Sequence, residues 1–499
     1  MQALGRIPLL ARMRQEPIGA VLISLAGDSA AYLTGGVLLG LGNVILIPLY
    51  TRMLTPREFG VYALLDVTIL LLVAVTALKL DVAYLKWFAN TEKARHGELL
   101  GTMLLAGLTA SLLGGTVLSL MAASRLGESW VRSPLHGLAW LLLPIVVLEN
   151  LQCLFLTDLR ARRRAISYSA AAIVRLICMI IASYYLLVVR HSGLEGLFLG
   201  RLVGDAGGVL FLFVKCIRFV AWKFAPALLR PMLGFGVPLI WSTLTVMLQD
   251  ASGRYFLSRS GSLEEVGLLG AAIKVGSVFQ LLLAAPFGVA WGSLLFQIVK
   301  RPNARIIYSK ILNYTYVFAL GVALILAILA PALFHIFTAP AYYSAIGILP
   351  LVLLVRATSV IEQPAATGIY LAGKTGLFAG IYTAALVVNL LLLHTLVPRY
   401  GAIGVGWAWF ISSACVPLLN LAIGHRFFRL NLSVKLIVFP ILAWVLIAHW
   451  LPFAAWDFSP ARWGPPILAA TLVALGAAAL LASDFLWKRG ELSAQRANE

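Results

Sequence analysis

The stretch Ile45 to Leu65, ILIPLYTRMLTPREFGVYALL, predicts two apolar helices joined by a short polar turn. The turn is Thr55-Pro56-Arg57-Glu58. Because Pro56 fixes φ and has no backbone N–H to donate, it suits the first position of the second helix, with Thr55 as the N-cap. Taken alone, the stretch indicates a generic helical hairpin.

A second stretch carries the same turn further along the chain. It reads RYFLSRSGSLEEVGLLGAAIKVGSVFQ from Arg254 to Gln280, and it aligns when Gly60 is placed on Gly267, a shift of 207 residues (267 minus 60). The alignment also matches two charged pairs, Arg52 with Arg259 and Glu58 with Glu265. The repetition predicts two homologous lobes, each built around one hairpin.

The composition indicates an α-helical membrane protein. The 499 residues are 61% hydrophobic and 12% charged, with a mean hydropathy of +0.93, whereas about a quarter of the residues in a soluble protein are charged. Windows of about 20 residues with almost no charge recur, which is the length a helix needs to cross a bilayer. A β-barrel would show short alternating segments instead. The net charge of +19 is attributed to loops on one side of the membrane, and no nucleic-acid partner is expected.

The apolar segments predict about fourteen transmembrane helices. Their approximate positions are 27–51, 60–80, 97–124, 134–157, 166–189, 195–219, 234–257, 266–297, 311–334, 344–370, 376–397, 403–424, 434–451 and 465–487. Lys and Arg concentrate in one set of connections and at both ends of the chain, which predicts that both termini are cytoplasmic. The connections are too short for a soluble catalytic domain.

The repeat predicts a division into lobes. Residues 27–224 form an N-lobe with spans 1 to 6, and residues 225–430 form a C-lobe with spans 7 to 12. Six is an even number, so the two repeats are parallel and related by an axis along the membrane normal. Residues 1–26 are a cytoplasmic lead, 431–487 an appended pair of spans, and 488–499 a cytoplasmic tail. A transporter would place its substrate path between the two lobes.

Glycine recurs every fourth residue in span 6, at Gly196, Gly200, Gly204 and Gly208. Small residues at this spacing let helix backbones approach closely. The stripe therefore predicts tight packing inside the first lobe, with a sliding surface for lobe movement as the alternative.

Charges within the predicted spans mark candidate substrate or ion pathways, because they are expensive in a membrane. Arg201 with Asp205 and Asp250 with Arg254 are four residues apart and predicted to pair along one helix. Three cations have no such partner on their own helix: Arg175, Lys274 and Arg356. Either acids on neighbouring helices neutralise them, or they face a water-filled cavity and attract an anion.

Further candidates complete the site. Arg52 and Arg259 occupy matched repeat positions at the outer edge of this cavity, where they either snorkel at a helix end or receive the same anion. Arginine suits phosphate because its planar fork binds two oxygens at once. Three carboxylates are candidates for ion coupling: Asp66, Asp205 and Glu362. The four cysteines form no CxxC pair, the histidines have no metal-ligand spacing, and no nucleophile–base pair is evident, so no catalytic residue, metal or cofactor is expected.

Several of these segments resemble one family, the polysaccharide-type (Wzx-like) flippases of the MOP superfamily. The run PLYTRMLTPREFGVYALL resembles their first hairpin, and FGVPLIWSTLTVMLQDASGRYFLSRSGSLEEVGLLGAAIKVG, from Phe235 to Gly276, resembles their seventh-span region. Tyr342-Tyr343-Ser344-Ala345 and Gly373-Lys374-Thr375 also match family positions. The family commonly has Asp-Arg where this chain has Gly253-Arg254, so the arginine is kept and the acid is not. The resemblance covers roughly residues 20–430.

The resemblance implies a fold and a function. It implies a V-shaped MOP/MATE-like pair of six-helix lobes in the bacterial inner membrane. It implies movement of an undecaprenyl-diphosphate-linked oligosaccharide to the outer leaflet by alternating access, driven by an ion gradient or the membrane potential. A polysaccharide polymerase complex is a further candidate partner. Arg52, Arg254 and Lys274 are the best-matched cationic positions.

Three other functions remain open from the sequence. A drug or cation antiporter of the same superfamily would need a titratable carboxylate such as Asp66, Asp205 or Glu362. A membrane enzyme acting on lipid-linked glycans would be expected to carry a large outer loop or a soluble domain. A non-transporting scaffold would make the intramembrane charges incidental.

Overall fold

The computed structural model describes residues 44–125, 136–299 and 303–431, and the regular structure in these ranges is helical throughout. The α-helices are α1 Ile47–Met53, α2 Pro56–Thr76, α3 Leu80–Asn90, α4 His96–Ala123, α5 His136–Ala161, α6 Ala165–Tyr184, α7 Gly193–Cys216, α8 Pro226–Ser260, α9 Leu263–Phe279, α10 Ala285–Ile298, α11 Ala304–Ile328, α12 Ala330–Phe337, α13 Leu349–Ala365, α14 Thr367–Leu371 and α15 Gly376–Gly424. The π-helical turns Tyr185–Val189 and Gln280–Ala284 follow α6 and α9, and 3-10 turns form at Lys93–Arg95, Ile217–Phe219 and Pro340–Gly347.

The described helices fit a multi-span membrane protein. Eight of them are long and apolar enough to cross a bilayer, or up to ten when each of two bent pairs is taken as one span. Each predicted span from the second to the twelfth falls on helical residues in these ranges. The two appended spans, the 1–26 lead, the 488–499 tail and most of span 1 lie outside the described residues, so the count of fourteen stays a prediction.

Contacts between residues divide the described chain into two compact units. One comprises residues 69–240, and the other comprises 44–68 together with 241–431. The divisions fall inside α2 and α8, so each of these helices contributes to both units. The lobes 27–224 and 225–430 follow the repeat in the sequence instead, and that division stays a prediction.

Within the unit 69–240, the glycine stripe of α7 packs against α6. A Cβ placed on Gly204 would lie 2.6 Å from the Met179 Cβ, and one on Gly200 would lie 2.3 Å from the Ser183 hydroxyl. Such a close approach of two helices requires glycine at the crossing. The stripe therefore allows α7 to pack closely against α6, which is the first of the two roles that the sequence predicted.

In the other unit, α8 is joined to α15 by a polar network. The Gln249 side chain donates to the Ser412 hydroxyl at 2.8 Å, and the Asn389 side chain donates to the Ser252 hydroxyl at 2.9 Å. Interhelical bonds of this kind hold membrane helices together. Asn389 and Ser412 lie on opposite sides of a break in α15 at Gly401, where φ is 54° and ψ is −132°. The break makes α15 two helices, in agreement with the predicted spans 376–397 and 403–424.

Candidate functional site

The two turns matched in the sequence are built alike in the structure. α2 and α9 begin at the predicted shift of 207 residues (263 minus 56). The Thr55 hydroxyl accepts a hydrogen bond from the Glu58 N–H at 3.3 Å, and the Ser262 hydroxyl accepts one from the Glu265 N–H at 3.1 Å. Each hydroxyl satisfies one of the N–H groups that a helix leaves unpaired at its start. The repeat register is therefore present in the backbone.

The matched glycines lie where α2 and α9 cross. A Cβ on Gly60 would lie 1.9 Å from the Leu263 carbonyl oxygen, and one on Gly267 would lie 1.8 Å from the Pro56 carbonyl oxygen. Both distances are far inside van der Waals contact, so the crossing requires glycine on both helices. The contact is reciprocal, because each glycine faces the carbonyl four positions before its counterpart.

A charged pair lies further along the same two helices. The Lys274 Nζ is 3.3 Å from the Asp66 Oδ2 and 5.4 Å from the centre of the Tyr62 ring. The lysine side chain is 20% exposed and the aspartate side chain 11%. Both side chains are thus partly exposed, so water or an ion can reach the two charges. Asp66, Lys274 and Arg254 are called the Asp66 site below.

Arg254 connects α8 to this region. One terminal nitrogen donates to the Ala63 carbonyl of α2 at 3.2 Å, and another lies 3.7 Å from the Asp250 carboxylate. The predicted pairing of Asp250 with Arg254 along α8 is therefore present, at a long distance. Nearby, the Tyr255 and Thr68 hydroxyls are hydrogen-bonded at 2.8 Å. Arg254 is buried, so its charge acts on α2 with little screening by solvent.

In the other compact unit, four charges form one cluster on three helices. Glu149 of α5 lies 2.6 Å from the Arg201 guanidinium and 3.3 Å from that of Arg175. Arg175 also lies 2.7 Å from the Asp205 carboxylate. Two guanidinium groups thus face two carboxylates, and the cluster is formally neutral. Removing one member would leave a buried charge unbalanced.

This cluster answers the question that the sequence left open for Arg175, and the Asp66 pair answers it for Lys274. Both cations meet acids on neighbouring helices. Arg201 also reaches across to α5, in addition to lying four residues from Asp205. Sequence reasoning missed Glu149 as the centre of the cluster. The available signal was a single acid within an otherwise apolar span.

Arg356 and Glu362 lie on α13 and differ in their surroundings. The Glu362 carboxylate accepts a short hydrogen bond from the Tyr382 hydroxyl of α15. The Arg356 Nε is buried without a hydrogen-bond partner in the described ranges. Among those same residues, no group of three or more His, Cys, Asp or Glu side chains is placed to hold a metal ion.

Arg52 and Arg259 are both exposed and both lie in the last turn of their helices, α1 and α8. A cation there complements the negative end of the helix dipole. Their matched positions in the repeat are therefore matched in structure, and their role toward an anion stays a prediction.

The fold is that of a known class of membrane transporters. A structure titled lipid II flippase MurJ in an inward closed conformation matches 92% of this chain and 99% of its own chain, with a TM-score of 0.71 and 14% identity. An inward-facing multidrug resistance MATE transporter of the MOP superfamily matches 80% of this chain and 94% of its own, with a TM-score of 0.61 and 16% identity. At these identities the likeness concerns the fold, and the predicted MOP/MATE-like fold is confirmed.

The family follows from the sequence match. The model of the polysaccharide biosynthesis protein family matches residues 26–299, more than half of the chain. The chain therefore belongs to the polysaccharide biosynthesis protein family. No curated protein matches it.

Proposed function

We propose that this protein is a flippase that carries an oligosaccharide linked to polyprenyl diphosphate from the cytoplasmic to the outer leaflet. Membership of the polysaccharide biosynthesis family supports the substrate class. The observation that carries the proposal is the partly exposed Lys274–Asp66 pair, in which a cation is held by a carboxylate that an incoming anion can replace. Since the matched structures are titled as a flippase and as transporters, we infer transport rather than catalysis.

The chemistry of such a substrate fits a cationic site. A sugar diphosphate is anionic and hydrated, and moving it alone across roughly 30 Å of hydrocarbon would cost many kcal/mol. The Lys274 ammonium and the Arg254 guanidinium lower that cost by replacing part of the hydration of the diphosphate. The polyprenyl tail stays in the lipid, so only the head group needs a polar path.

The Asp66 site also provides a way to couple transport to an ion. When Asp66 is charged, it competes with the diphosphate for Lys274. When Asp66 binds a proton, Lys274 loses its anionic partner and its affinity for the diphosphate rises. A conformation that exposes the site to a different pH then binds or releases the substrate, because the two states differ in affinity.

The proposed setting rests on the predicted topology for the termini and on the family resemblance for the rest. We place the protein in the bacterial inner membrane with both termini cytoplasmic, driven by an ion gradient or the membrane potential, and with a polysaccharide polymerase complex as a further partner. An undecaprenyl chain is the proposed lipid. Arg52, Arg175, Arg259 and Arg356 stay candidates for contact with the substrate, and Asp205 and Glu362 stay candidates for ion coupling.

The test is a flipping assay in liposomes. The purified protein is reconstituted with a labelled polyprenyl-diphosphate oligosaccharide, and the label that reaches the far leaflet is followed with time. Loss of one charged hydrogen bond to the diphosphate lowers its affinity by about tenfold to a hundredfold, so Lys274→Ala and Arg254→Ala should flip correspondingly more slowly at low substrate. Arg356→Ala tests whether the site extends to α13.

The matched variants separate binding from folding. Asp66→Asn should bind the diphosphate more tightly than wild type and lose its dependence on pH. Lys310→Ala, near the start of α11 and outside the site, should flip like wild type. Equal pH dependence in Asp66→Asn and wild type would reject the coupling, and no flipping by wild type across several glycans and ion gradients would reject the flippase.

A MATE-type antiporter of small cations is the second candidate, favoured by the MATE-like fold and by the carboxylates of Asp66 and Glu362. It is tested with the same liposomes, loaded with a fluorescent cationic dye under an imposed Na⁺ or H⁺ gradient. Gradient-driven dye efflux that Asp66→Asn abolishes, without flipping of the lipid, would establish it instead.

A further inference from the structure

Three arginines surround one aromatic ring at an end of the unit 69–240. The guanidinium carbons of Arg162, Arg164 and Arg218 lie 4.3, 4.6 and 4.8 Å from the centre of the Phe219 ring. Distances of this size are typical of cation–π contacts. A ring can attract cations, but it cannot neutralise them. The group of Arg162, Arg164, Arg218 and Phe219 is called the Phe219 site.

The backbone holds these arginines in a fixed turn between α5 and α6. The Arg164 N–H donates to the Leu159 carbonyl at 2.8 Å, and the Arg163 N–H donates to the Arg160 carbonyl at 3.0 Å. This pattern closes the C-terminus of a helix and normally places glycine in the left-handed position. Here that position is Arg163, with φ of 55°. The turn keeps an arginine where glycine would relieve the backbone.

The backbone segment that carries the Phe219 ring is packed against α4. Phe219 ends the 3-10 turn that follows α7, and two residues later the Ala221 N–H donates to the Gly97 carbonyl of α4 at 3.0 Å. A Cβ on Gly101 would lie 1.9 Å from the Ala221 carbonyl oxygen, so this segment lies directly on α4. The backbone that carries the Phe219 ring is therefore positioned by α4.

The charges at the Phe219 site are not balanced within the described residues. The Arg162 Nε donates to both oxygens of Asp158, at 2.8 and 2.9 Å, and that buried carboxylate also accepts from the Tyr84 hydroxyl at 2.6 Å. Asp158 is thus already paired with Arg162 and hydrogen-bonded to Tyr84. Across the described ranges, Arg164 and Arg218 have no ion pair. Two guanidinium groups beside one ring thus have no carboxylate partner among the described residues and are available to an external anion.

We propose that the Phe219 site binds the phosphate of an anionic phospholipid head group. Guanidinium groups bind phosphate through two oxygens at once, and an aromatic ring beside them is typical of the membrane–water interface. The sequence predicts that the α5–α6 turn and the end of α7 face the cytoplasm, where basic groups meet anionic lipid. The site does not depend on the proposed transport function, because it shares no residue with the Asp66 site and belongs to the other compact unit.

The experiment titrates the purified full-length protein in detergent with phosphatidylglycerol or with phosphatidylcholine and measures the midpoint of thermal unfolding. Phosphatidylglycerol should raise the midpoint of wild type, and phosphatidylcholine should not, because binding to the folded state stabilises it. The double variant Arg164→Ala/Arg218→Ala should need on the order of tenfold more phosphatidylglycerol for the same shift. Phe219→Leu should keep most of the response.

The control removes the same charge elsewhere. Lys223→Ala/Arg230→Ala lowers the net charge equally near the start of α8 and should respond to phosphatidylglycerol like wild type. Equal losses in both double variants would overturn the proposal in favour of a general effect of positive charge. A response to polyprenyl-diphosphate oligosaccharide that requires Arg164 and Arg218, with none to phosphatidylglycerol, would also overturn it and assign the site to the lipid-linked sugar.

Discussion

The two matched turns agree in their backbones and differ in what their glutamates bind. The Glu58 carboxylate accepts a hydrogen bond from the N–H of Thr55, within its own turn, at 2.8 Å. The Glu265 carboxylate instead accepts one from the Ala402 N–H, at the start of the second arm of α15, at 3.1 Å. The glutamate of the first turn therefore bonds within its own turn, whereas the glutamate of the second fastens its turn to another helix. The caps and glycines that shape the backbone are the same in both repeats, while the partners of the side chains have diverged.

The largest effect is expected at the shared crossing. Gly60→Ala and Gly267→Ala each place a Cβ within 2 Å of a backbone oxygen, and no rotamer change can relieve that clash. Each should lower the free energy of unfolding by about 3 kcal/mol, the upper range for overpacking. Thermal unfolding in detergent measures the loss.

A glycine in open space serves as the control for the crossing. A Cβ on Gly321 of α11 would meet nothing within 4 Å, so Gly321→Ala should leave stability unchanged or raise it slightly. If Gly60→Ala and Gly321→Ala unfold at the same temperature as wild type, α2 and α9 do not cross in this way.

The next effect concerns the position where the repeats no longer match. Asp66 corresponds to Ile273 in the repeat register (66 plus 207), one position before Lys274, so the charged pair is not a duplicated feature. Asp66→Lys alone would bring two cations together, and Lys274→Asp alone two carboxylates. Each should cost about 2 kcal/mol, less than a fully buried pair because both side chains are partly exposed.

The double exchange Asp66→Lys/Lys274→Asp sharpens this prediction. It restores the ion pair, and most of the lost stability should return. Flipping of the lipid-linked sugar should not return, because the cation then lies on α2 instead of α9. Full recovery of flipping would show that the site needs an ion pair between positions 66 and 274, and that the cation need not lie at position 274.

A smaller difference should separate the two glutamates. Glu265→Gln removes a charge from the first turn of an α-helix and weakens the bond to Ala402, which should cost about 1 kcal/mol. Glu58→Gln acts on a more exposed bond within one turn and should cost less than half as much. Hydrogen exchange at the Ala402 amide should speed up only in Glu265→Gln, and equal exchange in both variants would contradict the proposed fastening.

The smallest difference is expected at the caps. Thr55→Ala and Ser262→Ala each remove one side-chain acceptor at a helix start and should each cost about 1 kcal/mol. Both hydroxyls accept from the N–H three residues further on, and the additional bond from the Thr55 hydroxyl to the Glu58 carboxylate at 2.9 Å is exposed. Because an exposed bond adds little stability, the two losses should agree within about 0.5 kcal/mol. Unequal losses, measured by thermal unfolding of both variants side by side, would show that one cap is supported by other contacts.

Features that depend on neighbouring residues in the chain were predictable. The Thr55 cap, the helix start at Pro56 and the pairing of Asp250 with Arg254 follow from spacings of one to four residues. The repeat register was predictable too, because two copies of one pattern fix which positions correspond. These predictions needed no knowledge of how the helices pack.

Features that depend on packing were not predictable. The alignment matched Gly60 with Gly267, but correspondence in a repeat does not say that two positions touch. The Glu149 cluster joins residues 26 and 52 positions apart, and no local pattern selects those partners among the acids of the chain. The sequence therefore identified the site residues, because charged residues stand out in apolar spans. Which residues they pair with became clear only from the packing of the helices in the structure.

The reciprocal contact of Gly60 and Gly267 has an evolutionary consequence. In a symmetric homodimer, a residue on one copy meets a partner on the other, and the same pair meets again in reverse. The two glycines and the carbonyls of Pro56 and Leu263 obey this rule within a single chain. A half-length ancestor with one such glycine would have paired with itself through this crossing, and gene duplication with fusion would have made that dimer permanent.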